Sequence, residues 1–160
     1  MSENQARENL ISVSKEHLPA TLMNIFVALL IWLFGELVFL PAAYQISSRG
    51  TPLVVSMIIL IGFTIFVIRA FNSGLLLLLD SLSNVLSYEY KNWRKSRLTI
   101  DKLQKVTKNT VYVIAVLTFY LLYSPFLVVI HPALNGLVLI PVILWIFWTL
   151  FKAVNVLLLD

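Results

Sequence analysis

The sequence predicts an all-α integral membrane protein: four transmembrane helices forming two hairpins in parallel orientation, with an amphipathic, basic, cytoplasmic helical segment between them. Three observations predict it. Of 160 residues, 59% are hydrophobic and 12% charged, where a soluble domain carries about 25% charged residues, so much of the surface must face something other than water. Four windows are continuously apolar over the ~20 residues that a helix needs to cross hydrocarbon. Lysine and arginine gather in the tail and in the segment between the second and third windows.

The windows cover residues 22–43, 53–71, 111–130 and 133–151. Their apolar runs are unbroken rather than alternating, which favours helix over strand. Pro41, Pro125 and Pro141 lie in or near the ends of spans, where membrane helices accommodate proline by kinking. Ahead of the first window, Leu10, Ile11 and Val13 sit among charges. This predicts a short surface helix from Arg7 to Leu18, ended by Pro19, which has no N–H to continue the ladder. Glu3, Arg7, Glu8, Lys15 and Glu16 leave no apolar stretch of the secretory-leader kind, so the first span is expected to act as its own targeting signal.

Domain organisation follows. Residues 1–80 form the tail and first hairpin, the returning helix extending to 80. Residues 81–110 form the basic interfacial segment, and 111–160 the second hairpin. Lys91, Arg94, Lys95, Arg97, Lys102, Lys105 and Lys108, with Arg7 and Lys15 of the tail, are nine cations against the single Arg49 on the other side. Positive charge favours the cytoplasmic side, which places both termini there, in the plasma membrane. Trp145 and Trp148, near Lys152, fit an aromatic belt at the same surface.

The segments FNSGLLLLLD (71–80) and FKAVNVLLLD (151–160) resemble each other. An offset of 80 residues places Pro52 on Pro132, Phe71 on Phe151 and Asp80 on Asp160. Four extra residues in the first loop also bring Pro41 onto Pro125. A duplicated hairpin would give a parallel repeat about an axis along the membrane normal; chance matching in a leucine-rich chain is the other reading. The 27 residues from Leu53 to Leu79 would make about 40 Å of helix against a hydrocarbon core of about 30 Å. The leucines are therefore either the end of a tilted helix or an assembly seam where the helix leaves the bilayer. Beyond Asp160 the chain either ends on a bare helix or continues into a further cytoplasmic domain or partner subunit.

Glu36 falls about 20 Å into the first span. A carboxylate there costs a few kcal/mol, roughly, and is expected to face a bundle interior, a partner or water. It is either an ion or proton site, together with Thr64, Thr118 and Tyr120, or a neutral acid hydrogen-bonded to another helix, or a group near enough to the outer surface to stay wet. Arg69 lies too near the cytoplasmic end to pair with it and is expected to snorkel. Asn24, Thr64, Thr118, Tyr120, Asn135 and Thr149 also suit helix-to-helix hydrogen bonds, as packing rather than a conduction path.

In the middle segment Leu82, Leu86, Tyr90 and Trp93 recur at helical spacing, Leu103 and Val106 begin a second stripe, and Thr99 is a candidate cap. Arg69, Lys91, Trp93, Arg94, Lys95, Arg97, Lys102 and Lys105 are candidate contacts to anionic lipid or a partner, the alternative being that these charges set topology alone. Nucleic acid is not an expected partner, since no recognised binding motif or aromatic platform accompanies the charge.

There is no cysteine, and His17 and His131 are expected on opposite sides of the membrane. No metal site, cofactor or catalytic motif is predicted, and an enzyme is not expected. The expected function is an oligomeric channel or transporter module for small ions, built as a homo-oligomer; the alternative is a non-transporting structural or accessory membrane subunit. The latter would assemble through its helices and bind lipid or a cytoplasmic partner.

Overall fold

The structure, a computed structural model, describes residues 3–46, 50–94 and 98–158. Helix α1 spans Glu3–Phe34, a π-helical turn Gly35–Phe39 follows, and α2 covers Leu40–Gln45. Helix α3 is Thr51–Ala70, a second π-helical turn is Phe71–Leu75, and α4 is Leu76–Arg94. Helices α5, Ile100–Ile130, and α6, Pro132–Leu158, complete the chain. The fold is all-helical, with four rods long and apolar enough to cross a membrane: Glu3–Gln45, Thr51–Trp93, Ile100–Ile130 and Pro132–Val156.

The first two rods are 43 residues each, about 65 Å at 1.5 Å per residue and twice the hydrocarbon thickness. Their apolar parts suit lipid, and the rest continues past it. Pro19 therefore does not end a helix as the sequence suggests; it lies inside α1. A proline removes one donor and crowds the preceding turn. Packing of α1 along α4 and the joint before it keeps the helix continuous.

Helix α3 lies between α1 and α5, while α6 packs chiefly on α5. Two apolar clusters hold the three central helices. Ala28, Phe63 and Val67 meet Trp32, Phe119 and Tyr123 in one; Leu40, Ile59 and Phe126 form the other. Phe63 and Tyr123 stack edge to face at 4.9 Å between centroids. Two side-chain donors cross the helices to backbone carbonyls: Trp32 Nε1 donates to Leu122 O at 2.9 Å, and Ser56 Oγ to Phe126 O at 3.1 Å. Both acceptors flank Pro125, the residue that interrupts the α5 ladder.

The FNSG step answers to a break in the helix. Gly74 has φ +105°, a backbone region that side-chain-bearing residues rarely adopt. Thr21 Oγ1 donates to Ser73 O at 3.1 Å and Asn24 Nδ2 to Ser73 Oγ at 2.9 Å. A Cβ on Gly74 would lie 2.7 Å from His17 Cγ. The joint is thus clamped by one face of α1. Beyond it the chain does not stop at residue 80 but runs on as α4 alongside the first half of α1. The corresponding position in the second hairpin, Val154, lies in the continuous helix α6.

Helix α4, read from sequence as lying on lipid, packs along both α1 and α5. Glu3 accepts from Asn92 at 3.0 Å, Arg7 pairs with Glu3 and Glu89, and Asn9 donates to Ser81 at 3.4 Å. Asp80 accepts from both Lys108 and Tyr112 of α5, each at 2.9 Å. Ser83 and Ser87 are fully buried with their hydroxyls turned back to the carbonyls of Asp80 and Asn84, so small side chains let the three helices approach. The stripe Leu82, Leu86, Tyr90 and Trp93 remains exposed on α4. Thr99 occupies the N-cap position of α5 without a side-chain cap bond.

Three outcomes are expected. Phe126→Ala removes a fully buried ring and lowers resistance to detergent unfolding by up to about 3–5 kcal/mol, whereas Leu137→Ala, at a residue 68% exposed, leaves the unfolding midpoint nearly unchanged. Gly74→Ala costs about 1–2 kcal/mol for the left-handed backbone and in addition displaces His17; cysteine cross-linking between α1 and α4 should report the disturbed joint. The Asn92 hydrogen bond, with Arg7 beside it, holds the exposed Glu3 carboxyl below its usual range. Its folded value being lower than its unfolded one, the contribution is present above the unfolded value and lost as pH falls through the folded one. Hydrogen exchange in the first turns of α1 should therefore accelerate between about pH 5 and pH 3, relative to Asn92→Ala, beyond the intrinsic pH dependence.

Candidate functional site

Glu36 lies where two departures from regular helix coincide. Gly35 is buried, and a Cβ there would stand 2.7 Å from Ile59 Cγ2 and 3.3 Å from Phe126 Cε1. Glycine thus permits α1 to meet α3 and α5 at this level. The chain here adopts a π-helical turn, a form that often marks functional positions. Within it the Leu40 N–H donates to Gly35 O, leaving the Glu36 carbonyl without its usual donor. The next residue is Pro41, which has no N–H to offer.

The Glu36 side chain is in a similar position. Its Oε1 is enclosed by protein and has no hydrogen-bond partner among the described residues. One turn before it, Trp32 bonds α5; one turn after it, Leu40 packs with Phe126 of α5. Glu36 therefore lies on the part of α1 that faces the bundle. Nine residues separate it from Gln45, the end of α2, about 14 Å along the helix.

Arg69 is no partner for it. Counting along α3 from Ile59, which touches the Gly35 level, Arg69 is ten residues away, about 15 Å. It is exposed near the joint, with its guanidinium 5.4 Å from the Phe66 ring centroid.

The other residues read as an ion path occupy separate interfaces. Thr64 donates to Leu60 O at 2.7 Å and accepts from Tyr123 at 3.0 Å, joining α3 to α5. Tyr120 donates to Asn135 Oδ1 at 3.0 Å, joining α5 to α6. Thr118 is exposed and donates to Ile114 O within its own helix. Thr64 and Tyr120 are engaged in packing between helices, and the three together with Glu36 form no single group. A groove of about 730 Å³ between α1 and α3 is lined by Val27, Leu30, Phe34, Val55 and Ile58 among others, all apolar; it suits acyl chains rather than hydrated ions.

Among the cations, Lys91 and Lys102 are half-buried and Lys105 is exposed. Trp93 is 77% exposed beside them. Arg94 ends α4, and Lys95 and Arg97, like Arg49, lie outside the described residues. Lys108, counted in the sequence only for its charge, is the residue that ties α5 to Asp80. Lys152 places its Nζ 5.2 Å from the Trp148 ring centroid. His17 packs on Gly74, while His131 Nδ1 accepts from the Ala133 N–H at the α5–α6 turn. Among the described residues no three His, Cys, Asp or Glu side chains gather as metal ligands would.

Sequence reasoning missed the contacts of Trp32, Ser56 and Asp80. Trp32 meets Leu122 across 90 residues of chain and Ser56 meets Phe126 across 70. Periodicity reads which face of one helix is apolar; it does not read which helix lies opposite. A serine within the otherwise aliphatic run around Ser56 was the available signal for a helix contact.

No family model matches the chain, and no solved structure matches it. The chain is similar to the uncharacterized protein MJ1114 of Methanocaldococcus jannaschii, 29% identical over 140 residues that cover 82% of this chain and 71% of that protein.

Proposed function

We propose that the protein is a non-transporting membrane subunit that assembles through its helices, forms homo-oligomers, and presents its basic end to anionic lipid or a cytoplasmic partner. The observation that carries this reading is the engagement of polar side chains within the spans. Trp32, Ser56, Thr64, Tyr120 and Tyr123 all hydrogen-bond another helix, which leaves few polar side chains among the described residues of the spans, Thr118 among them, to line an aqueous path. In this reading both termini and the α4–α5 end lie in the cytoplasm at the plasma membrane, as the lysine and arginine bias favours. Lys91, Lys102 and Lys105 supply positive charge beside the exposed Trp93. The two hairpins derive from one duplicated unit whose halves have diverged at Glu36, Gly74 and their counterparts. No catalytic step, cofactor or metal belongs to this role.

A second reading, a channel or transporter module for small ions, rests on Glu36 alone. In it an oligomer would bring the carboxyl of each copy to a shared path.

Flux of K⁺, Na⁺ and H⁺ into proteoliposomes, measured separately for wild type and Glu36→Gln, decides between them. The expected result is no flux above empty vesicles from folded, inserted protein, together with cross-linked oligomers of the chain. Wild-type flux that Glu36→Gln abolishes would replace the assembly role with the transport one.

A further inference from the structure

We propose that the Glu36 carboxyl is a reversible proton-binding site within the membrane. This goes beyond the assembly role and does not depend on it.

The side-chain Oε1 is enclosed and unpartnered among the described residues. It sits in a π-helical turn where α1 meets α3 and α5 through Gly35. An ionised carboxylate accepts hydrogen bonds only, and the described residues place no donor on this oxygen. Proton binding removes a charge from a region where an unpaired ion is costly.

Among the described residues no cation pairs with it. Helix α3 carries one ionisable side chain, Arg69, about 15 Å along the helix from the Glu36 level. Helix α5 carries Asp101, Lys102, Lys105, Lys108 and Tyr112 in its first half and Tyr120 and Tyr123 further on, and α2 carries Tyr44. Tyr120 and Tyr123 already donate to Asn135 and Thr64, and Lys108 and Tyr112 donate to Asp80. Asp101 is itself an acid, and it stands with Lys102 and Lys105 in the first two turns of α5, remote from Phe126.

A metal cation fits the site poorly. Hard cations take about six or more oxygen ligands, whereas a proton needs one donor and one acceptor. The equilibrium is simple: a proton from water adds to the carboxylate to give the neutral acid and returns to water on release. The exchange route is the shorter one, about 14 Å along the helix towards Gln45.

Infrared spectroscopy of the folded protein in lipid tests this. At neutral pH the expected result is a protonated-carboxyl C=O band equivalent to one group per chain, shifting in D₂O and on ¹³C labelling of glutamate side chains. The band should disappear reversibly at alkaline pH and be absent from Glu36→Gln. Isotope labelling assigns the band to glutamate even where that variant fails to fold, because Glu3, Glu8, Glu16 and Glu89 lie in the polar parts of α1 and α4. Only carboxylate bands at neutral pH would overturn the proposal. So would a protonated band that neither exchanges in D₂O nor responds to alkali, since that would mark a permanently neutral hydrogen-bonding acid. Neither result depends on flux, so the site and the assembly role stand or fall separately.

Discussion

A polar group inside hydrocarbon has no water to pair with, and most of this structure is arranged around that constraint. Helices satisfy their backbones internally, so the remaining problem is the side chains and the places where the ladder is interrupted. Side chains meet it by bonding the backbone of a neighbouring helix. Trp32 and Ser56 send their donors to the Leu122 and Phe126 carbonyls of α5, and Thr21 sends its donor to Ser73 O just before the Gly74 break. Those bonds, each worth about 0.6–2 kcal/mol, fix which helices meet and at what level. They leave Glu36 as the exception.

The joint at Gly74 has a wider structural consequence. Beyond the single left-handed residue, which is seated against His17, α4 runs alongside the first half of α1 and meets α5. The Asp80 contacts with Lys108 and Tyr112 then hold α4 to α5. The polar ends of three helices thereby support one another outside the apolar windows. Serines at 81, 83 and 87 keep that seam narrow, while the aromatic residues of α4 stay outward.

Helix α6 contrasts with this. It packs chiefly on α5, and Leu137, Ile140, Leu144, Phe147 and Phe151 face outward. Lipid tails are as apolar as these side chains, so their exposure costs nothing in a bilayer.

The sequence by itself determined the all-helical class and the four helices long and apolar enough to cross a membrane. Both depend on local composition and window length. It showed the FNSG step without its meaning: Gly74 has a positive φ and packs against His17, 57 positions away. It also placed a helix end at Pro19, because proline propensity is local while the packing that overrides it is not. Tertiary structure alone decided which helices Thr64 and Tyr120 join, that Lys108 belongs to Asp80, and that Glu36 Oε1 has no described partner. Partner choice depends on which helix lies opposite and at what rotation. That is set by the sum of contacts over the whole bundle, which no window of sequence contains.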